Sequence, residues 1–192
     1  MHAKRLSRSE LTIACALAAL MAATRFHHFG SAMYLPDASL AVFFLGGLYL
    51  RRTVAFGAYI GLAALVDYVA IVHGGVSDWC VTPAYAFLLP ACACLWWAGV
   101  WCSRHDRHGW RGYARLAGAL LVATVFAFLI SNASFYGLSG YFGELSLAEY
   151  AARVAKYFPS YLASTMAYVA AALSFEALVV YGSRLKADVT QR

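Results

Sequence analysis

The chain has 192 residues, 62% of them hydrophobic and only 12% charged, with a mean hydropathy of +0.64. Soluble domains carry about 25% charged residues, so this composition excludes an ordinary soluble enzyme and predicts an integral membrane protein. The net charge of +6 reads as a topology signal and lends no support to nucleic-acid binding.

In chain order the apolar residues gather into six blocks, 11–29, 36–50, 53–72, 84–102, 113–130 and 160–181. They predict an all-α membrane protein, a single integral membrane domain over 1–192 with six transmembrane helices. The basic head and apolar run of the first block resemble a signal peptide, but five further apolar blocks favour a retained first helix. Ala14, Ala18 and Ala22 in that helix have the spacing that lets helices approach closely, which serves internal packing as well as a partner. The second block is short of the roughly 20 residues a spanning helix takes and is expected to need its flanks or a break near Pro36.

Lysines and arginines alternate by connection. Lys4, Arg5 and Arg8 precede the first block; Arg51 and Arg52 follow the second; Arg104, Arg107, Arg111 and Arg115 follow the fourth; Arg184, Lys186 and Arg192 close the chain. Of the 15, only Arg25, Arg153 and Lys156 fall elsewhere. Positive charge marks the cytoplasmic side, so both termini are expected on the cytoplasmic side, with 27–36, 73–83 and 131–159 outside. Within the last of these, Ser146 and Glu149 form a capping-box start, and Leu147, Tyr150, Ala151, Val154 and Phe158 recur at helical spacing up to Pro159. An amphipathic helix in the outer interface is expected there; it serves as a roof over a cavity or as a plain connector.

Cys15, Cys92, Cys94 and Cys102 lie in or at the edge of apolar blocks, where thiols behave as small apolar side chains. Cys92 and Cys94, two apart on a helix, point to different sides. Cys80 stands alone in an outer connection, "HGGVSDWCVTPAY", where an unpaired thiol suggests a protected, reactive or ligating sulfur. A thiolate suits transition metals, but a structural zinc site needs four ligands; one axial bond to a metal already held by a macrocycle fits better. Asp67, an acid in the outer part of the third block, is a functional candidate by its depth, although packing against Tyr68 or Tyr85 also accounts for it. His27 and His28 end the first block and Tyr85 opens the fourth. Tyr34, Trp79, Phe135, Tyr136, Tyr141 and Phe142 are placed in outer loops, as the lining for a planar ligand or as an interfacial aromatic belt.

Two stretches, "RFHHFGSAMYLPDASLAVFFLGGLYLRR" and "LVDYVAIVHGGVSDWCVTPAY", resemble the BtuM family of solitary cobalamin transporters. That family belongs to the substrate-binding (S) components of energy-coupling-factor (ECF) transporters. The resemblance implies a six-helix S-component bundle that takes cobalamin, vitamin B12, as its ligand. It further implies that Cys80 ligates cobalt while His28, Asp67 and Tyr85 surround the site. A thiolate on cobalt weakens the bond across the ring, so cyanocobalamin bound there is expected to lose cyanide when an electron donor is supplied. S-components dock an ATP-hydrolysing module against the first helix, here through Ala14, Ala18 and Ala22, whereas BtuM-type members work without a dedicated one. Other readings remain: an S-component for another vitamin or a corrinoid precursor, a haem protein using His28 or His73, and a membrane thiol oxidoreductase. The last would need a second outer cysteine, and the outer segments hold only Cys80.

Overall fold

A computed structural model describes residues 6–26, 35–79, 81–107, 109–143 and 146–190, and among them there is no strand. The helices are α1 (Arg8–Arg25), α2 (Ser39–Tyr49), α3 (Thr53–Gly74), α4 (Leu88–Ser103), α5 (Gly109–Leu138) and α6 (Leu147–Thr190), with a 3-10 turn, Pro83–Phe87, leading into α4. Four stretches are long and apolar enough to cross a membrane: Thr53–Gly74, Pro83–Ser103, Gly109–Leu138 and Leu147–Arg184. The first two helices fall outside that group. α1 carries Arg8, Glu10 and Arg25 within its 18 residues, and α2 has only 11.

The shortness of α2 has a physical reason. Ser39 and every residue from Ala41 to Leu48 are buried, so α2 is the central helix of the bundle. At a rise of 1.5 Å per residue it extends only about 16 Å, half the roughly 30 Å hydrocarbon core. A helix sheathed by other helices has no lipid to match. Its closest neighbour is α4, and glycine sets that crossing. A Cβ at Gly47 would collide with the Trp96 carbonyl, and one at Gly99 with the Phe44 carbonyl. The rings of Phe43, Phe56, Tyr59 and Trp96 pack beside the crossing, edge to face except for the tilted Tyr59–Trp96 pair. On α1, Ala14 and Ala18 pack partly against this core, and Cys15, Ala16, Ala19 and Ala23 form the exposed face.

Two expected boundaries move. The outer segment 131–159 contains the end of one helix and the start of another. α5 continues to Leu138 because its polar residues satisfy themselves on the helix: Asn132 Nδ2 donates to the Phe128 carbonyl (3.2 Å) and Ser134 Oγ to the Ser131 carbonyl (2.9 Å). Phe135 and Tyr136 therefore sit on a helix, correcting their placement in a loop. The amphipathic helix of the last outer segment likewise begins at the expected capping box, with the Ser146 N–H donating to Glu149 Oε2 (3.0 Å) and the Glu149 N–H to Ser146 Oγ (3.3 Å). It does not stop at Pro159, which lies inside α6. A proline removes one donor, a loss that apolar bundles absorb by local adjustment.

Candidate functional site

α3 ends where Gly75 adopts φ 67°, a left-handed conformation that costs glycine nothing, and its N–H caps the Ala70 carbonyl. The chain has reversed and re-entered the bundle by Pro83, where the 3-10 turn begins. This reversal brings late α3 beside the 3-10 turn, and there Tyr85 donates its hydroxyl proton to Asp67 Oδ2 at 2.7 Å. The same carboxylate receives a two-point contact from the last residue of α1: Arg25 Nε donates to Oδ1 at 2.7 Å and Nη2 to Oδ2 at 2.6 Å. The planar guanidinium matches the carboxylate in shape, making this the strong form of an ion pair.

Arg25 Nη1 reaches further, donating to Ser39 Oγ at 3.1 Å and lying 3.4 Å from Asp37 Oδ2. Asp37 in turn accepts from the Ser39 N–H (2.9 Å) and hydroxyl (2.6 Å) at the start of α2. The segment before α2 is also pinned by the Ala38 N–H donating to Thr24 Oγ1 (3.1 Å) and the Tyr168 hydroxyl to the Pro36 carbonyl (2.7 Å). One network thus ties the end of α1, the start of α2, late α3, the 3-10 turn and α6. The side chains of Arg25 and Asp67 are only 12% and 9% exposed. Burial at that level requires pairing, because an unpartnered ion there would be prohibitive.

Next to this network lies a cleft of about 300 Å³ lined by Ala64, Asp67, Tyr68, Ile71, Asp78, Val81 and Tyr85. Asp78 and Val81 flank Cys80 in sequence. The buried Thr82 hydroxyl, two residues beyond Cys80, has no hydrogen-bond partner among the described residues. Trp79 points elsewhere: it stacks on Tyr141 with ring centroids 3.7 Å apart and planes 7° from parallel. Phe135 touches Trp79, Tyr136, Tyr141 and Phe142. Trp79, Phe135, Tyr136, Tyr141 and Phe142, all singled out from the sequence, therefore form one continuous cluster. His28, Tyr34 and Cys80, together with His27, lie outside the described residues.

Two participants were missed in the sequence. Arg25 enters the sequence reading only in the charge count, and Asp37 is not singled out there. An arginine at the outer end of an apolar block is the signal that should have prompted a search for buried acids. Among the described residues no three His, Cys, Asp or Glu side chains gather closely enough to hold a bare metal ion; a single axial sulfur on a macrocycle-held metal calls for no such group. Cys15, Cys92, Cys94 and Cys102 are free thiols, with Cys92 and Cys102 buried. The sequence matches no model of a known protein family and none of the curated proteins.

Proposed function

We propose that this chain is a six-span membrane carrier of the S-component type. In this reading it takes up cobalamin across the bacterial inner membrane, with both termini in the cytoplasm and Cys80 as axial ligand to cobalt. The observation that carries the reading is the convergence of Asp67 and Tyr85 on a cleft whose lining includes Asp78 and Val81, which lie within two residues of Cys80 in the sequence. The resemblance of 25–52 and 65–85 to the BtuM family supplies the ligand class.

The division of labour follows from chemistry. Cys80 contributes the coordinate bond, and the Arg25–Asp67–Tyr85 network fixes the wall against which the corrin's amide side chains hydrogen-bond. His28 and Tyr34 are assigned to the site from the sequence alone, and Trp79, Phe135 and Tyr136 supply apolar ring surface beside it. With a thiolate on one face of cobalt, cyanide on the other is more easily lost when an external thiol reductant supplies electrons. An ATP-hydrolysing module, where one is used, meets α1 on its exposed small residues, Cys15, Ala16, Ala19 and Ala23, more readily than on Ala14 and Ala18, which pack inward.

The test is the visible absorption of purified full-length protein titrated with cyanocobalamin. Wild type is expected to shift the cobalt bands. Cys80→Ala should lose that shift and the decyanation while keeping weakened binding. A carrier of a different vitamin would leave the spectrum of added cobalamin unchanged, and so would a protein in which the sulfur never meets the metal.

A further inference from the structure

The turn between α4 and α5 gathers positive charge that the fold does not balance. Arg104, Arg107, Arg111 and Arg115 lie in or beside it, with Asp106 as the one acid in that stretch. Arg107 is taken up by Glu176 and the Tyr49 ring. Among the described residues, Arg104, Arg111 and Arg115 pair with no carboxylate, whereas Arg25, Arg52 and Arg107 each do. All three of the former are exposed.

The turn is also tightly built. A Cβ at Gly112 would collide with the Arg107 backbone, so the connection is folded down onto the first turns of α5. Arg111 and Arg115 stand four residues apart on that helix, the spacing that puts two side chains on one face. Arg115 Nη1 reaches back to the Asp106 carbonyl at 3.4 Å, which turns its guanidinium toward the end of the bundle and away from the apolar length of α5. A cation just inside a bilayer is expected to bend outward in this way. The Arg111 guanidinium stands 5.6 Å over the Trp110 ring. Trp110 is 76% exposed and Trp101, at the end of α4, 46%. Exposed tryptophans at the ends of spanning helices settle at headgroup level, so the contact with Trp110 holds Arg111 at the depth of the lipid phosphates.

We propose that this face binds an anionic phospholipid, with Arg111 and Arg115 on the headgroup phosphate, Arg104 adding charge at the end of α4, and Trp101 and Trp110 against the glycerol and upper acyl chains. The inference goes beyond the cobalamin reading and needs only that α4 and α5 cross a bilayer. Guanidinium groups match a phosphate in planar, two-point geometry, and a basic cluster beside a spanning helix is drawn to lipid of net negative charge. A zwitterionic lipid carries the same phosphate, but its ammonium cancels the attraction. A soluble anion meets the charge and leaves the exposed rings uncovered; a lipid satisfies both.

Native mass spectrometry of the full-length protein with equal amounts of phosphatidylglycerol and phosphatidylcholine of the same acyl chains provides the test. Each basic side chain near an anionic lipid surface is worth roughly 5-fold in binding. Wild type is therefore expected to retain phosphatidylglycerol over phosphatidylcholine by at least about 5-fold, and Arg111→Gln with Arg115→Gln to remove most of that preference. Arg111→Lys with Arg115→Lys keeps the charge and should keep most of the preference. Arg184→Gln with Lys186→Gln, a basic pair elsewhere in the chain, should leave it within about twofold. Circular dichroism checks that the helices of each variant are intact. Equal retention of the two lipids by wild type overturns the site, and so does an equal loss in both glutamine pairs, which would mean that any positive charge serves. Displacement of the lipid by inorganic phosphate, against chloride at the same ionic strength, also overturns it, because the face would then be a site for a free anion. Cobalamin binding is read separately, so the lipid site and the carrier reading stand or fall independently.

Discussion

The two ends of the bundle use the same three groups, an arginine, a carboxylate and a tyrosine, and use them differently. At the mouth, Arg25 grips Asp67 through two contacts of 2.7 and 2.6 Å, Tyr85 closes the third, and both charged side chains are almost wholly buried. At the opposite end, Glu176 of α6 accepts from Tyr49 at 2.7 Å and, less closely, from Arg107 at 3.2 and 3.4 Å, with the charged side chains 38% and 33% exposed. Burial decides what such a triad does. A deep, bidentate pair is costly to open and holds a wall in one geometry, whereas a half-exposed pair contributes little and parts easily. In the carrier reading proposed above, the first suits the end that binds cargo and the second the end through which it leaves.

The largest expected effect comes from removing the cation at the mouth. Arg25→Met leaves the Asp67 and Asp37 carboxylates without their guanidinium, and breaking a buried pair in this way costs about 3–5 kcal/mol. Thermal unfolding in detergent, read by circular dichroism, checks it. The double variant Arg25→Met with Asp67→Leu should recover much of that loss, because the stranded charge goes with its partner. Failure to recover would mean that Asp37, which Arg25 also approaches, bears most of the coupling.

How much of this was legible follows from range. Asp67 stood out because an acid in an apolar run has few explanations, and the aromatic cluster stood out because its members crowd into short outer segments. Arg25 pairing with Asp67 spans 42 residues, and no periodicity in the chain reports a contact of that kind. The same rule that singles out Asp67 applies to Glu176 in the last apolar block. The small-residue pattern drew attention to α1, while the closest approach is made by Gly47 and Gly99 in α2 and α4. Single glycines in two separate blocks make no pattern until the helices cross. Pro159 was taken as a stop because soluble helices end there, a rule that weakens in apolar surroundings.

A middle-sized effect belongs to Tyr85→Phe. The ring and its packing remain, and only the 2.7 Å hydrogen bond to Asp67 Oδ2 is lost. Hydrogen bonds to charged groups are worth about 1.5–3 kcal/mol, and the two Arg25 contacts still hold the carboxylate, so a loss near the lower bound is expected in the same unfolding assay. In the carrier reading proposed above, cobalamin affinity should fall with it, because the Tyr85 hydroxyl no longer joins the 3-10 turn to Asp67 across the cleft wall. Unchanged affinity would assign the network to packing alone and would separate it from the mouth.

Glu176→Gln should do least. It removes the ion pair with Arg107 but keeps an oxygen that accepts from the Tyr49 hydroxyl, so the contact between α2 and α6 survives. The guanidinium of Arg107 also keeps its place 5.6 Å over the Tyr49 ring, a contact worth about 0.5–1 kcal/mol when exposed. Exposed pairs contribute roughly 0–1 kcal/mol, and a double-mutant cycle of Arg107→Met with Glu176→Gln should return a coupling in that range. A coupling as large as the one between Arg25 and Asp67 would erase the distinction between the two ends. The Tyr49–Glu176–Arg107 triad would then be a second fixed anchor, and in the carrier reading release of cargo at that end would have to proceed by moving the whole bundle instead of parting α6 from α2.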